Sequence, residues 1–155
     1  MTLQTPRTLV RPFTPEDAAA LHRILSDPAV MEYLEPPFTF VQTQAFLLNA
    51  GLCSPPRVYA VQWRNTGQLI GHVIYHPYDP DSFELGWVLD RAFWNRGIAA
   101  ELTDHLIAQA RVEQRTRLVL ECVPAQAATA RIAKKAGFSY VRTLDGLDVY
   151  ELYLN

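Results

Sequence analysis

The stretch from Phe83 to Glu101 constrains the fold more than any other part of the chain. Phe83, Leu85, Trp87 and Leu89 alternate with Glu84, Gly86 and Val88, the period-two pattern of a strand that carries one carboxylate on a small, apolar face. A short loop, Asp90-Arg91-Ala92-Phe93-Trp94-Asn95-Arg96-Gly97, follows, and Ile98–Arg111 then repeats apolar residues at helical spacing through Ala99, Leu102, Leu106 and Ala110. The first N–H groups of such a helix have no intrahelical partner. With Gly97, Ala99 and Ala100 where bulky side chains would otherwise stand, a large anion can come within hydrogen-bonding range of backbone. Arg96 adds a positive charge, and the arrangement reads as a diphosphate cradle. The competing reading is that the small residues only permit close helix–sheet packing. Neither G-x-G-x-x-G nor G-x-x-x-x-G-K-[ST] occurs, which argues against a dinucleotide fold or a nucleoside triphosphatase.

The flanking sequence supplies the other elements. Thr8–Pro12 is extended, and Thr14-Pro15-Glu16-Asp17 starts a helix whose apolar stripe is Ala18, Leu21, Ile24 and Leu25 and which stops before Asp27-Pro28. Residues 28–40 carry three prolines and read as irregular, and Thr43–Ala50 reads as a second helix ending at Gly51. Tyr59–Arg64 and Leu69–His76 form a hairpin across Asn65-Thr66-Gly67-Gln68, and Pro77–Ser82 is a loop. Leu118–Val123 reads as a buried strand and Gln126–Ala136 as an alanine-rich helix, with Gly137-Phe138 as its Schellman ending. Tyr140–Thr143 and Val149–Leu154 are strands around the Asp145-Gly146 turn.

Adjacent hairpin strands mixed with helical crossovers predict an α+β fold: a mixed, mostly antiparallel sheet of about seven strands, with helices on both faces. The 155 residues suit a single domain over 1–155. Lys and Arg are scattered in a chain of net charge −2, so no nucleic-acid footprint is expected. No apolar run approaches the ~20 residues that span a bilayer, and Met1–Val10 lacks a signal-peptide pattern, so a cytoplasmic location with no membrane partner is expected. Cys53 and Cys122 have no close Cys or His partner and read as reduced thiols, and His22, His72, His76 and His105 show no metal-like pairing. No metal site is expected, and His72 and His76, on one strand face, read as surface or packing residues.

Four segments resemble the GNAT superfamily of N-acetyltransferases, particularly its RimJ/RimL-like, ribosomal-protein acetyltransferase branch. L-V-R-P-F-T-P-E-D-A is similar to that branch's first strand and helix, and S-D-P-A-V-M-E-Y-L to its next segment. E-L-G-W-V-L-D-R-A-F-W-N-R-G-I-A-A-E-L resembles its acetyl-CoA motif, and A-T-A-R-I-A-K-K-A-G-F its final helix. The likeness runs from about Leu9 to Leu154, in the right order and spacing.

The resemblance implies an enzyme that moves acetyl from acetyl-CoA to a primary amine by direct attack on the thioester. It assigns acetyl-CoA to Trp94, Asn95, Arg96, Gly97, Ile98, Ala99 and Ala100, and a backbone N–H near Val88 and Leu89 to the developing oxyanion. Gln126 stands where the family commonly has an Asn for the pantetheine arm, and Trp94 where it usually has Gln or Arg. The Tyr that many members use to protonate the thiolate falls at Ala133, so that acid is absent; Thr129, where this branch has Ser, is the candidate donor or relay. Glu84 is the candidate base, with a salt-bridge partner as its bland alternative. Glu121, Tyr140 and Tyr150 are further polar groups that read more simply as packed or paired residues.

The acceptor stays open between a peptide N-terminus and a small amine. Glu32, Glu35, Asp79, Asp81, Asp145 and Asp148 lie in loops, the first and last pairs in regions that border the acceptor entrance in this family, and favour a cationic acceptor. A homodimer is also left open. The alternative reading is a CoA- or acyl-CoA-binding protein of the same fold without transferase activity.

Overall fold

The computed structural model describes residues 1–155. Eight strands form one mixed sheet, β1 (Leu3–Gln4), β2 (Thr8–Arg11), β3 (Val58–Trp63), β4 (Leu69–Asp79), β5 (Ser82–Leu89), β6 (Arg117–Cys122), β7 (Ser139–Leu144) and β8 (Leu147–Tyr153). Their order across the sheet is β1-β2-β3-β4-β5-β6-β8-β7. Neighbours are mostly antiparallel; β5 and β6 run parallel, with Glu84 in register with Val119. The helices are α1 (Ala18–Leu25), α2 (Pro28–Met31), α3 (Phe40–Phe46), α4 (Ile98–Val112) and α5 (Ala127–Lys135). The expected α+β fold is the observed one.

The chain divides into two compact units, Met1–Ile74 with Trp87–Ile98, and Tyr75–Gly86 with Ala99–Asn155. In the first, Leu21, Ile24 and Leu25 of α1 bury against Phe13, Met31, Leu47, Val58, Leu69 and Val88. The Arg11 guanidinium makes two 2.9 Å hydrogen bonds to Asp17, which also accepts the Thr14 N–H at 2.8 Å, so the entry to α1 is tied to β2. In the second unit, Leu102, Leu106 and Ala110 line one face of α4, and Leu118, Leu120, Val149 and Tyr150 are buried strand residues.

Three boundaries differ from the sequence expectation. Residues 28–40 are not wholly irregular: Asp27 accepts the Ala29 N–H at 3.0 Å and Pro28 takes the first helical position, so the pair that stops α1 also starts the one-turn α2. The second helix begins at Phe40, before Thr43, because Thr39 Oγ1 accepts the Gln42 N–H at 3.1 Å while Gln42 Oε1 accepts the Thr39 N–H at 2.8 Å. That reciprocal cap fixes the start, and Leu47–Gly51 then closes the helix as a π turn. The loop at Pro77–Ser82 is shorter than expected, since β4 runs on to Asp79. The strand not anticipated is β1, too short at two residues to leave a periodic pattern.

Two endings follow the sequence closely. Phe138 N–H bonds to Ala133 O and Gly137 N–H to Lys134 O, the two hydrogen bonds of a Schellman motif after α5. Asp145 and Gly146 both have positive φ, 52° and 79°, as the tight β7–β8 turn requires.

Candidate active site

The loop after β5 is held by its own polar groups. Asp90 N–H donates to Ile70 O at 2.7 Å, and the Asp90 carboxylate accepts the Ala92 N–H at 3.0 Å, capping a single 3₁₀ turn. Asp90 also lies 3.8 Å from Arg23, and Arg91 pairs with Asp27 at 3.3 Å, which tethers the turn to the segment around α1 and α2. Phe93 is buried against Trp63, ring centroids 5.1 Å apart, and the Arg96 guanidinium stands 4.9 Å over the Phe93 ring. Trp94 Nε1–H donates to Leu89 O at 3.0 Å, so the indole fastens the loop back to the strand end.

Beyond Trp94 the backbone turns through left-handed geometry at Asn95, φ 60°, and Gly97, φ 76°, before Ile98 opens α4. Gly97 is exposed, and a Cβ placed on it would find Arg7 Nη2 at 3.6 Å as its nearest neighbour. The space beside this helix start is therefore open, and Ala99 and Ala100 are only half-buried. An anion-bearing co-substrate fits such a start: small residues, unpaired first-turn N–H groups and a nearby cation. Arg7 was not singled out from the sequence, yet it donates to Arg96 O at 2.8 Å and so braces the loop from outside it. Nothing local in the sequence marks it, because the contact joins residues far apart along the chain.

Gly71 explains how closely the strand end is approached. A Cβ there would lie 2.1 Å from Val88 O and 3.0 Å from Leu89 Cα, so only glycine lets the backbones of β4 and β5 come this near. Val88 and Leu89 are both buried.

The second unit presents a polar sheet face that includes Glu84. His76 Nε2 lies 3.7 Å from Glu84 Oε1, with side chains 13% and 25% exposed. Tyr78, two residues further along β4, hydrogen-bonds to Glu121; that bond, some burial and the Glu121 charge push its hydroxyl up to about 12, with Arg142 opposing and Glu84 adding to the rise. Glu151 receives Arg117 and Arg142 at 3.7 and 3.6 Å, and Arg117 also holds Asp79 at 2.8 Å. Glu121 is thus paired, in keeping with its simpler reading. His76, partly exposed, faces the Glu84 carboxylate. His72 is the packing residue of the two: it is 4% exposed beside Phe46, and burial pulls its imidazole down to about 4.

Other sequence candidates are placed as follows. Thr129 lies half-buried in the first turn of α5. Gln126 precedes that helix, and its Oε1 accepts the Val123 N–H at 2.9 Å. Ala133 is fully buried. Tyr140 is half-exposed on the edge strand β7 with its hydroxyl 2.7 Å from Thr143, and Tyr150 is buried. Cys122 is buried, which raises its thiol, and both cysteines are free. No helix is long and apolar enough to cross a membrane.

Residues 7–139 match the model of the acetyltransferase (GNAT) domain. The chain belongs to this family and is an N-acetyltransferase by class. It is 30% identical over 140 residues to an uncharacterized N-acetyltransferase, YnaD, of Bacillus subtilis, spanning 88% of this chain and 82% of that one. The crystal structure of a GNAT-family acetyltransferase from Bacillus anthracis superposes with a TM-score of 0.87 at 26% identity, covering 99% of this chain and 96% of that one. RimL, a ribosomal alpha-N-protein acetyltransferase solved in complex with coenzyme A, shares the fold at a TM-score of 0.82 and 17% identity, covering 99% and 98%.

Proposed function

We propose that this chain is a RimJ/RimL-like enzyme, working as one domain, that moves acetyl from acetyl-CoA to a primary amine by direct attack. The observation that carries the reading is the loop from Trp94 to Gly97, fastened at Leu89, Phe93 and Arg7 and opening into a helix start with room for an anion. When bound, acetyl-CoA supplies an activated acyl thioester. The N–H groups around Gly97, Ile98, Ala99 and Ala100 hold its diphosphate, with Asn95 and Arg96 beside them. Trp94 keeps the loop in place, the Gln126 carboxamide bonds the pantetheine arm, and a backbone N–H at Val88 or Leu89 stabilises charge on the reacting oxygen. Thr129 is the hydroxyl that supplies or relays a proton to the departing thiolate.

The acceptor must be neutral to attack. At pH 7 that costs ~1 kcal/mol for an N-terminal amine of pKa ~7.7–8.0 and ~4–5 kcal/mol for a lysine of pKa ~10.4. Glu84, half-buried on β5, removes that proton directly or through a water. The acceptor is a cationic amine, a peptide N-terminus or a small amine. The test is free-thiol release from acetyl-CoA with tetraalanine, L-lysine and spermidine in parallel. Release with one or more of them is expected. Saturable acetyl-CoA binding with no thiol release from any of the three would favour a binding protein of the same fold.

A further inference from the structure

We infer that His76 is a positioning residue for Glu84 and the route by which the acceptor's proton leaves the site. The inference rests on the reading of Glu84 as the base.

His76 Nδ1 lies 2.7 Å from the carbonyl oxygen of Pro77. A carbonyl can only accept, so Nδ1 carries the hydrogen, and in the neutral ring Nε2 is the bare nitrogen. That nitrogen is the one 3.7 Å from Glu84 Oε1. Two acceptors facing each other attract only when one proton is present between them. Glu84 and His76 therefore form a pair that is favourable with one proton and unfavourable with none. The spacing is an ion-pair distance, longer than a hydrogen bond, and a small side-chain rotation closes it.

The proton balance follows. Glu84 carboxylate takes a proton from the acceptor's ammonium, leaving a neutral amine and a carboxylic acid. The acid passes that proton to His76 Nε2, which restores the carboxylate and makes an imidazolium. The imidazolium, 13% exposed, returns the proton to water. The other charged and titratable groups recorded on this face are engaged elsewhere: Tyr78 with Glu121, Arg142 with Glu151, and Arg117 with Asp79 and Glu151. None of those pairs offers an unprotonated nitrogen to Glu84.

The first test is independent of activity. Long-range imidazole ¹H–¹⁵N correlation across a pH series should show the Nδ1–H tautomer for the neutral His76 ring, with the signal assigned by its loss in His76→Gln. An Nε2–H tautomer overturns the inference, because the nitrogen facing Glu84 would then donate to the carboxylate and have no lone pair with which to take its proton. The second test uses tetraalanine as the probe amine. His76→Ala should lose ~10-fold or more in kcat/KM for the amine at pH 7 with the acetyl-CoA KM unchanged, and added imidazole should restore part of it in proportion to its basicity. His76→Gln, of similar volume but unable to take a proton, should be as slow as His76→Ala at pH 7. If Glu84→Gln is impaired while His76→Gln matches the wild type, the relay is wrong and the base stands. If Glu84→Gln keeps the wild-type rate, the base itself is wrong.

Discussion

Gly71 and Gly97 separate fold from site, and substituting each in turn tests the cradle. At Gly71 an added Cβ would sit 2.1 Å from Val88 O, a collision with backbone that no side-chain rotation relieves. Overpacking of this kind costs ~1–3 kcal/mol or more, and for a chain of this size each kcal/mol lowers Tm by roughly 2–4 °C. Gly71→Ala should therefore melt at least several degrees lower, or fail to fold. At Gly97 the nearest atom to the added Cβ is 3.6 Å away, so the only cost is backbone strain at φ 76°. That strain is ~1–2 kcal/mol. Gly97→Ala should fold with a small loss in Tm, and Gly97→Val somewhat less well. The assay is thermal melting with and without acetyl-CoA. A ligand at 100 times its Kd stabilises by ~2.7 kcal/mol, so the wild type should gain several degrees. Gly97→Val should lose most of that gain, because its side chain occupies the open space beside the helix start, and should lose more of it than Arg96→Ala does, since several N–H contacts outweigh one exposed charge. A folded Gly97→Val protein with an unchanged acetyl-CoA shift would refute the placement of the diphosphate here.

Three further outcomes follow from the same contacts. Glu84→Gln should slow amine acetylation most at low pH, where the acceptor is most protonated, and leave acetyl-CoA affinity unchanged; equal rates across the pH range would make Glu84 structural. Asp17 is buried, which pushes its carboxyl up, but the two Arg11 hydrogen bonds and the Thr14 N–H outweigh this and hold it below the ordinary value. Its stabilising contribution is therefore present above the unfolded-state pKa of ~3.9 and is lost as pH falls through the lower folded value; Asp17→Asn should remove ~1–2 kcal/mol at pH 7 and flatten the acid limb of Tm against pH. The acceptor KM should rise with ionic strength, since screening weakens attraction of a cationic amine to Glu32, Glu35, Asp145 and Asp148, the last of which lies on β8 and accepts the Thr143 hydroxyl; a flat dependence, corrected for the salt effect on acetyl-CoA, would leave these acids without a part in acceptor choice.

What the sequence shows and what it hides divide along chain separation. The β5 pattern, the loop and the α4 start are contiguous, so alternation, turn and helical spacing report them directly. The ending of α5 is equally local, because Gly137 and Phe138 need only the turn before them. The starts of α2 and α3 were also written locally, in Asp27-Pro28 and in Thr39 with Gln42, but prolines at 36 and 37 made the region look irregular. Arg7 bracing Arg96 and Gln126 turning its oxygen to Val123 were hidden for a different reason: a side chain with several donors or acceptors does not announce which backbone group it will meet. His76 is the instructive case. His76 and Glu84 stand on successive strands joined by the turn at Pro80 and Asp81, and alternation within one strand does not tell which residue of its neighbour it will face.

The salt-bridge reading of Glu84 does not compete with its proposed role as the base. A carboxylate paired with arginine, as Asp17 is with Arg11, is held as an anion at every pH the enzyme meets and makes a poor proton acceptor. Glu151 lies between Arg117 and Arg142, and Glu121 already accepts the Tyr78 hydroxyl. Glu84 differs because it faces a histidine, whose neutral ring, unlike a guanidinium, can take a proton back. Pairing of that kind orients the carboxylate without locking it, which is what a base that must reset on every turnover requires.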